Sequence, residues 1–150
     1  MSHAADLYQE LILDHGRRPR NHRVLAGATA KADGDNPLCG DKVTVYVAAK
    51  DGVVTDVTFV GNGCAISQAS SSLMTEAVRG RTLAQIEELF GRFHDLVTGR
   101  PATDEETENL GKLAAFAGVC EFPMRVKCAT LAWHTLRAAL AGQSNPASTE

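Results

Sequence analysis

With 150 residues, 44% of them hydrophobic, the chain is long enough for one core that buries roughly two thirds of its unfolded surface without help from disulfides. A formal net charge of -3 argues against general attraction to a phosphate backbone, so nucleic acid is not an expected partner. No run approaches the roughly 18 apolar residues of a membrane span, and Met1 to Gly16 lacks the basic start and apolar centre of a signal peptide. The expected compartment is the cytoplasm, where Cys39, Cys64, Cys120 and Cys128 read as ligands or reactive thiols rather than disulfides.

Ala4, Leu7, Tyr8, Leu11 and Ile12 recur at helical intervals and predict a helix from Ala4 to about Asp14, ended by His15-Gly16. Arg17-Arg18-Pro19-Arg20-Asn21-His22-Arg23 sets four arginines around a proline and predicts an exposed basic loop, either solvated or facing an acidic partner. Period-two patterning then predicts strands over Val24 to about Asp33, through Val43, Val45 and Val47, and over Val53 to Val60. Asp51-Gly52 is a favoured type I′ hairpin pair, so the product is an antiparallel meander.

Ile66, Ala69, Ser70, Leu73, Met74 and Ala77 predict a helix to about Arg79-Gly80, with Cys64 at its N-terminus, where the dipole favours a thiolate. Ser67, Ser70, Ser71 and Ser72 fit close packing against the sheet better than nucleophilic catalysis, since no base accompanies them. Thr82 and Gln85 suit a capping box for a helix through Leu83, Ile86, Leu89, Phe90 and Phe93, with His94 at its far end. Gly99 to Asn109, with Pro101, Asp104, Glu105, Glu106 and Glu108, reads as a mobile acidic connection or a helix start. A short helix through Leu110, Leu113 and Phe116 follows. Gly118 to Pro123 links to a last helix over Met124 to Ala141, on which Trp133 is expected at the core edge and His134 at the surface. The domain should cover residues 1–141, with 142–150 a disordered tail. The fold class is α+β, a three-stranded antiparallel meander with helices packed on it.

The chemistry gathers at Asp35-Asn36-Pro37-Leu38-Cys39-Gly40-Asp41. In extended backbone Cys39 and Asp41 leave the same face, and Gly40 between them allows a bend and a close approach. A turn with a buried cysteine would look the same over these seven residues alone. The loop with Cys39 and the loop Gly61-Asn62-Gly63-Cys64 can lie at one end of the sheet, and Cys128 sits one turn inside the last helix. Three thiols and one carboxylate supply the four ligands of a tetrahedral zinc site, with a formal charge of about -2 when all are ionised. Arg125, at i-3 from Cys128, could pair with Asp41 behind the ligands or be an ordinary surface arginine; Lys127 adds positive charge nearby. Cys120 belongs to none of these motifs and reads as a free thiol, with a sulfur relay or disulfide partner as the other choice.

The chain resembles the SufU branch of the IscU-like proteins. The resemblance is carried by Asn36-Pro37-Leu38-Cys39-Gly40-Asp41, by Gly61-Asn62-Gly63-Cys64-Ala65-Ile66-Ser67-Gln68-Ala69-Ser70-Ser71-Ser72 and by Arg125-Val126-Lys127-Cys128-Ala129-Thr130-Leu131-Ala132-Trp133. Leu7-Tyr8, Asp14-His15 and Pro19-Arg20-Asn21 look like the same family, so the likeness covers all but the tail. It implies a zinc-dependent sulfurtransferase that partners and activates a SufS-type cysteine desulfurase and feeds the Suf cluster-assembly machinery. It maps the metal ligands to Cys39, Asp41, Cys64 and Cys128 and the sulfur acceptor to Cys39, with a desulfurase histidine filling the position Cys39 vacates. The alternative within the superfamily is an IscU-type scaffold on which iron–sulfur clusters are assembled. IscU-type proteins place a histidine before the third motif cysteine, where this chain has Lys127, and lack the long segment found here around Gly91 to Gly118.

Overall fold

A computed structural model describes residues 3–100, 103–142 and 147–148. Strands β1 (Ala30–Asn36), β2 (Asp41–Lys50) and β3 (Val53–Asn62) form the expected antiparallel meander, with β2 in the middle. Val43, Val45 and Val47 all point into the core. On β3 the buried hydrophobic positions run Val54, Val57, Phe59, a spacing of three and then two. A register shift opposite Ala48/Ala49 accommodates the odd step, because a bulged residue resets which face the following side chains occupy. The hairpin at Asp51-Gly52 has φ of 54° and 79°, both positive as a type I′ turn requires.

Helix α1 spans His3–Arg17, α2 Ala65–Val78, α3 Leu83–Thr98, α4 Asp104–Leu110 and α5 Pro123–Leu140, with a 3-10 helix over Gly111–Glu121. Helix α2 lies over β3 and α5 over β1 and β2, so the core sits between one sheet face and these helices. The approach of α5 to β1 is close enough that a Cβ on Gly34 would collide with the Thr135 hydroxyl and crowd Leu131. Phe93 stacks on Trp133 at 4.9 Å and meets Phe116 edge-on at 5.7 Å, joining α3, α5 and the 3-10 helix.

Several boundaries differ from the sequence reading. Strand β1 begins six residues later than Val24, whose side chain is 62% exposed. Gly27, at φ 78°, turns the chain first, and pairing of Ala30 with Val47 sets where the ladder starts. Helix α1 runs past His15-Gly16 because Gly16 lies against Ala65, with no room for a larger side chain there, and His15 is buried. Of the stripe read in α1, Ile12 packs on the core and Tyr8 is exposed, while the side chains of Ala4 and Leu7 lie outside the described ones. The acidic connection is the short helix α4, capped by Thr103 and Glu106, with Pro101 outside the described residues. The 3-10 helix extends through most of the expected 118–123 linker. Trp133 is fully buried rather than at the core edge, and His134 is half-buried edge-on to Phe90. In the tail, Ala147–Ser148 runs parallel to β1 beside Gly34 and Asp35 as β4; residues 143–146 and 149–150 lie outside the described ones.

The basic segment is not free in solvent along its whole length. The Arg20 N–H donates to Ser72 Oγ at 2.8 Å, and Asp14 pairs with both Arg18 and Arg20, at 3.1 and 2.6 Å. His15 Nδ1 lies 2.7 Å from the same Ser72 hydroxyl, and its Nε2 is 3.8 Å from Glu76. Burial above all, with Arg20 adding to it and Glu76 and Asp14 opposing it, holds His15 below its ordinary value of 6.5. The unfolded chain then binds this proton more readily than the folded one, so stability is full above about pH 6.5 and declines as pH falls below it. Thermal melts from pH 7 to 5 should show that decline, and His15→Gln should flatten it; an unchanged slope in the variant would remove His15 from the account.

Candidate metal centre

The β1–β2 connection is a four-residue turn, because Asn36 and Asp41 are the last paired positions of the two strands. Gly40 adopts φ 74°, a left-handed conformation that a side chain would strain, and both Cys39 N–H and Gly40 N–H donate to the Asn36 carbonyl at 3.2 and 2.8 Å. This turn holds Cys39 exposed at its tip. Asp41 opens β2 with its carboxylate buried. Cys64 is the N-cap residue of α2, its sulfur accepting the Ser67 N–H at 3.5 Å. Cys128 is on the second turn of α5 and buried.

Cys39 Sγ, one Asp41 oxygen and Cys128 Sγ all lie within 4.8 Å of one another, with the two sulfurs 3.7 Å apart. Cys64 adjoins this group through Asp41: its N–H donates to Oδ1 at 2.9 Å and its sulfur lies 3.8 Å from Oδ2. Close packing enforces the junction, since a Cβ on Gly63 would stand 3.1 Å from Asp41 Oδ1 and 3.0 Å from Ser67 Oγ. The expected ligands thus converge, three in one tight group and Cys64 beside it. Cys120 is elsewhere, packed against Gly99 at the end of α3.

Burial pushes the Cys128 thiol far up, reinforced by Asp41 and by the Cys64 and Cys39 sulfurs. Sulfur and carboxylate donors so crowded resist shared ionisation unless a cation replaces their protons. Three sulfurs and one carboxylate are a donor set that zinc accepts. Arg125 is exposed, and among the described residues neither it nor Lys127 forms an ion pair with Asp41. The Cys64 N–H, at the N-cap of α2, is the donor that meets the Asp41 carboxylate, and the Ser67 N–H donates to the Cys64 sulfur.

Two contributors escaped the sequence reading. Asn36 was read as part of a turn, yet its amide reaches Cys128 Sγ at 3.9 Å. Ser70 Oγ donates to the Ala129 carbonyl at 2.5 Å, tying α2 to α5 beside Cys128. The Asn-Pro dipeptide and the serine run were the only signals for them.

A model of the NifU-like N-terminal domain matches residues 7–129. This chain belongs to that family. The IscU iron–sulfur cluster assembly scaffold of Streptococcus pyogenes serotype M1 is 40% identical over 141 residues, which cover 93% of this chain and 86% of that one. The zinc-dependent sulfurtransferase SufU of Bacillus subtilis (strain 168) is 38% identical over 135 residues, 90% of each chain. Among solved structures, FiSufU of Fervidobacterium islandicum AW-1 superposes with a TM-score of 0.81 at 36% identity, covering 93% of this chain and 99% of its own. The Streptococcus pyogenes and Bacillus subtilis relatives carry different functional names, scaffold and sulfurtransferase. No helix among the described residues is long and apolar enough to cross a membrane.

Proposed function

We propose that this chain is a zinc-dependent sulfur carrier for iron–sulfur cluster biogenesis, taking persulfide sulfur onto Cys39 from a SufS-type cysteine desulfurase in the cytoplasm. The observation that carries this reading is the unequal setting of the sulfurs: Cys39 is exposed on a glycine-bearing turn, Cys64 caps a helix and Cys128 is buried in another. Zinc held by Cys39, Asp41, Cys64 and Cys128 would keep the thiols ionised at neutral pH and restrain their reactivity. Cys64 and Cys128 retain their place because moving either means moving a helix. Cys39 needs only a change in the turn.

Once free, the Cys39 thiolate attacks the outer sulfur of the desulfurase persulfide. The donor's S–S bond breaks, its electron pair stays on the desulfurase cysteine as thiolate, and a new S–S bond forms at Cys39. Sulfur moves with no external oxidant. The expected result of incubating the zinc-loaded protein with desulfurase and free cysteine is the mass of one added sulfur atom on the Cys39 peptide. Sulfur on none of the peptides would overturn the reading.

The scaffold role is the second reading, supported by the 40% identical relative named for it. It predicts a brown protein carrying iron and acid-labile sulfide in place of a colourless one carrying zinc.

A further inference from the structure

We propose that Asn36 is a positioning residue of the thiol centre, whose side-chain amide ties the Cys39 turn to Cys128 and makes Cys128 the retained sulfur. This inference rests on the sulfur-carrier reading above. Asn36 ends β1 with no exposed surface, opposite Asp41 in the ladder. Its backbone carbonyl takes the N–H groups of Cys39 and Gly40, and its Oδ1 takes the Leu38 N–H at 3.3 Å. That last bond sets the amide's orientation. The Leu38 nitrogen is a donor and needs the oxygen end, which leaves the NH₂ end facing Cys128 Sγ at 3.9 Å. A flipped amide would set donor against donor at Leu38 and oxygen against sulfur at Cys128.

The two neighbouring sulfurs are therefore held differently. Cys128 receives an N–H from a buried amide, and a ligating thiolate that accepts such a bond is fixed in direction and in electron density. The Cys39 side chain has, among the described residues, only the Cys128 sulfur as a hydrogen-bond partner. One side chain thus ties the Leu38 N–H of the turn to the stationary thiol, while the Cys39 side chain takes no bond from it.

Cobalt(II) is the probe, because the energy and intensity of thiolate-to-cobalt charge-transfer bands report both the bound sulfurs and the hydrogen bonds they accept. In Asn36→Ser the hydroxyl can still accept the Leu38 N–H but is too short to reach Cys128. We expect its bands to move to lower energy and its cobalt affinity, measured against a chelator, to fall about tenfold or more. Asn36→Asp keeps the size and the acceptor but removes the donor, so its bands should move the same way, while its added charge attracts the cation and takes affinity out of the comparison. Should Asn36→Ser lose its fold by circular dichroism, Asn36→Asp decides by the energy of its bands alone. Bands unmoved and affinity within about twofold of wild type would overturn the proposal. A wild-type protein with no thiolate bands at all would instead sink the metal-centre reading, and this inference with it.

Discussion

Cys39→Ser is expected to leave a folded, zinc-competent protein that takes up no sulfur. Its side chain is exposed, and the turn is held by N–H bonds to the Asn36 carbonyl that serine preserves. Stability of the metal-free protein should therefore stay within about 0.5 kcal/mol of wild type, the ordinary range for a surface substitution. Persulfide transfer should fall by at least about 10³-fold, since loss of a nucleophile removes the covalent step itself. Retention of desulfurase stimulation by the variant, with sulfur appearing on Cys64, Cys120 or Cys128, would reassign the acceptor.

Asp41→Ala should act on metal and fold together, and Asp41→Asn should separate them. The buried carboxylate both faces the sulfurs and accepts the Cys64 N–H at 2.9 Å. Alanine strands that N–H, at a cost of about 1–3 kcal/mol, and removes a charged donor from the centre. Asparagine keeps an oxygen for Cys64 but gives up the charge. Zinc affinity in chelator competition should drop at least about 100-fold in both variants, while melting of the metal-free protein should suffer mainly in alanine. Full zinc occupancy in Asp41→Ala would show that the carboxylate only braces the β3–α2 junction.

Where one residue type and one period settle the outcome, the sequence was a good guide. The valines of β2, the Asp51-Gly52 turn and the Thr82–Gln85 cap are local arrangements, and each formed as its residues predict. That Cys39, Asp41, Cys64 and Cys128 would lie near one another was legible because three cysteine motifs fall at a loop, a helix start and a helix interior that one sheet end brings together. What escaped was long-range. Nothing near Val24 announces that β1 waits for a partner at Val47, and nothing near Trp133 announces Phe93 stacked on it. Helical spacing leaves Arg125 as either a partner for Asp41 or an ordinary surface arginine, because spacing says which face a residue shares and not what stands opposite; Arg125 is the exposed one. The backbone N–H of Cys64 meets Asp41 instead, and no side-chain inventory reveals a main-chain donor.

The Ser70 hydroxyl bonded to the Ala129 carbonyl works as a rivet between the two sulfur-bearing helices. With it in place, the helices that carry Cys64 and Cys128 are joined by a bond independent of the β1–β2 connection. If the centre holds an ion as proposed, the four residues from Pro37 to Gly40 are then the part freest to flex around cations of different radius. Discrimination among ions and readiness to let one sulfur go would, on that footing, be the same mechanical property of four residues.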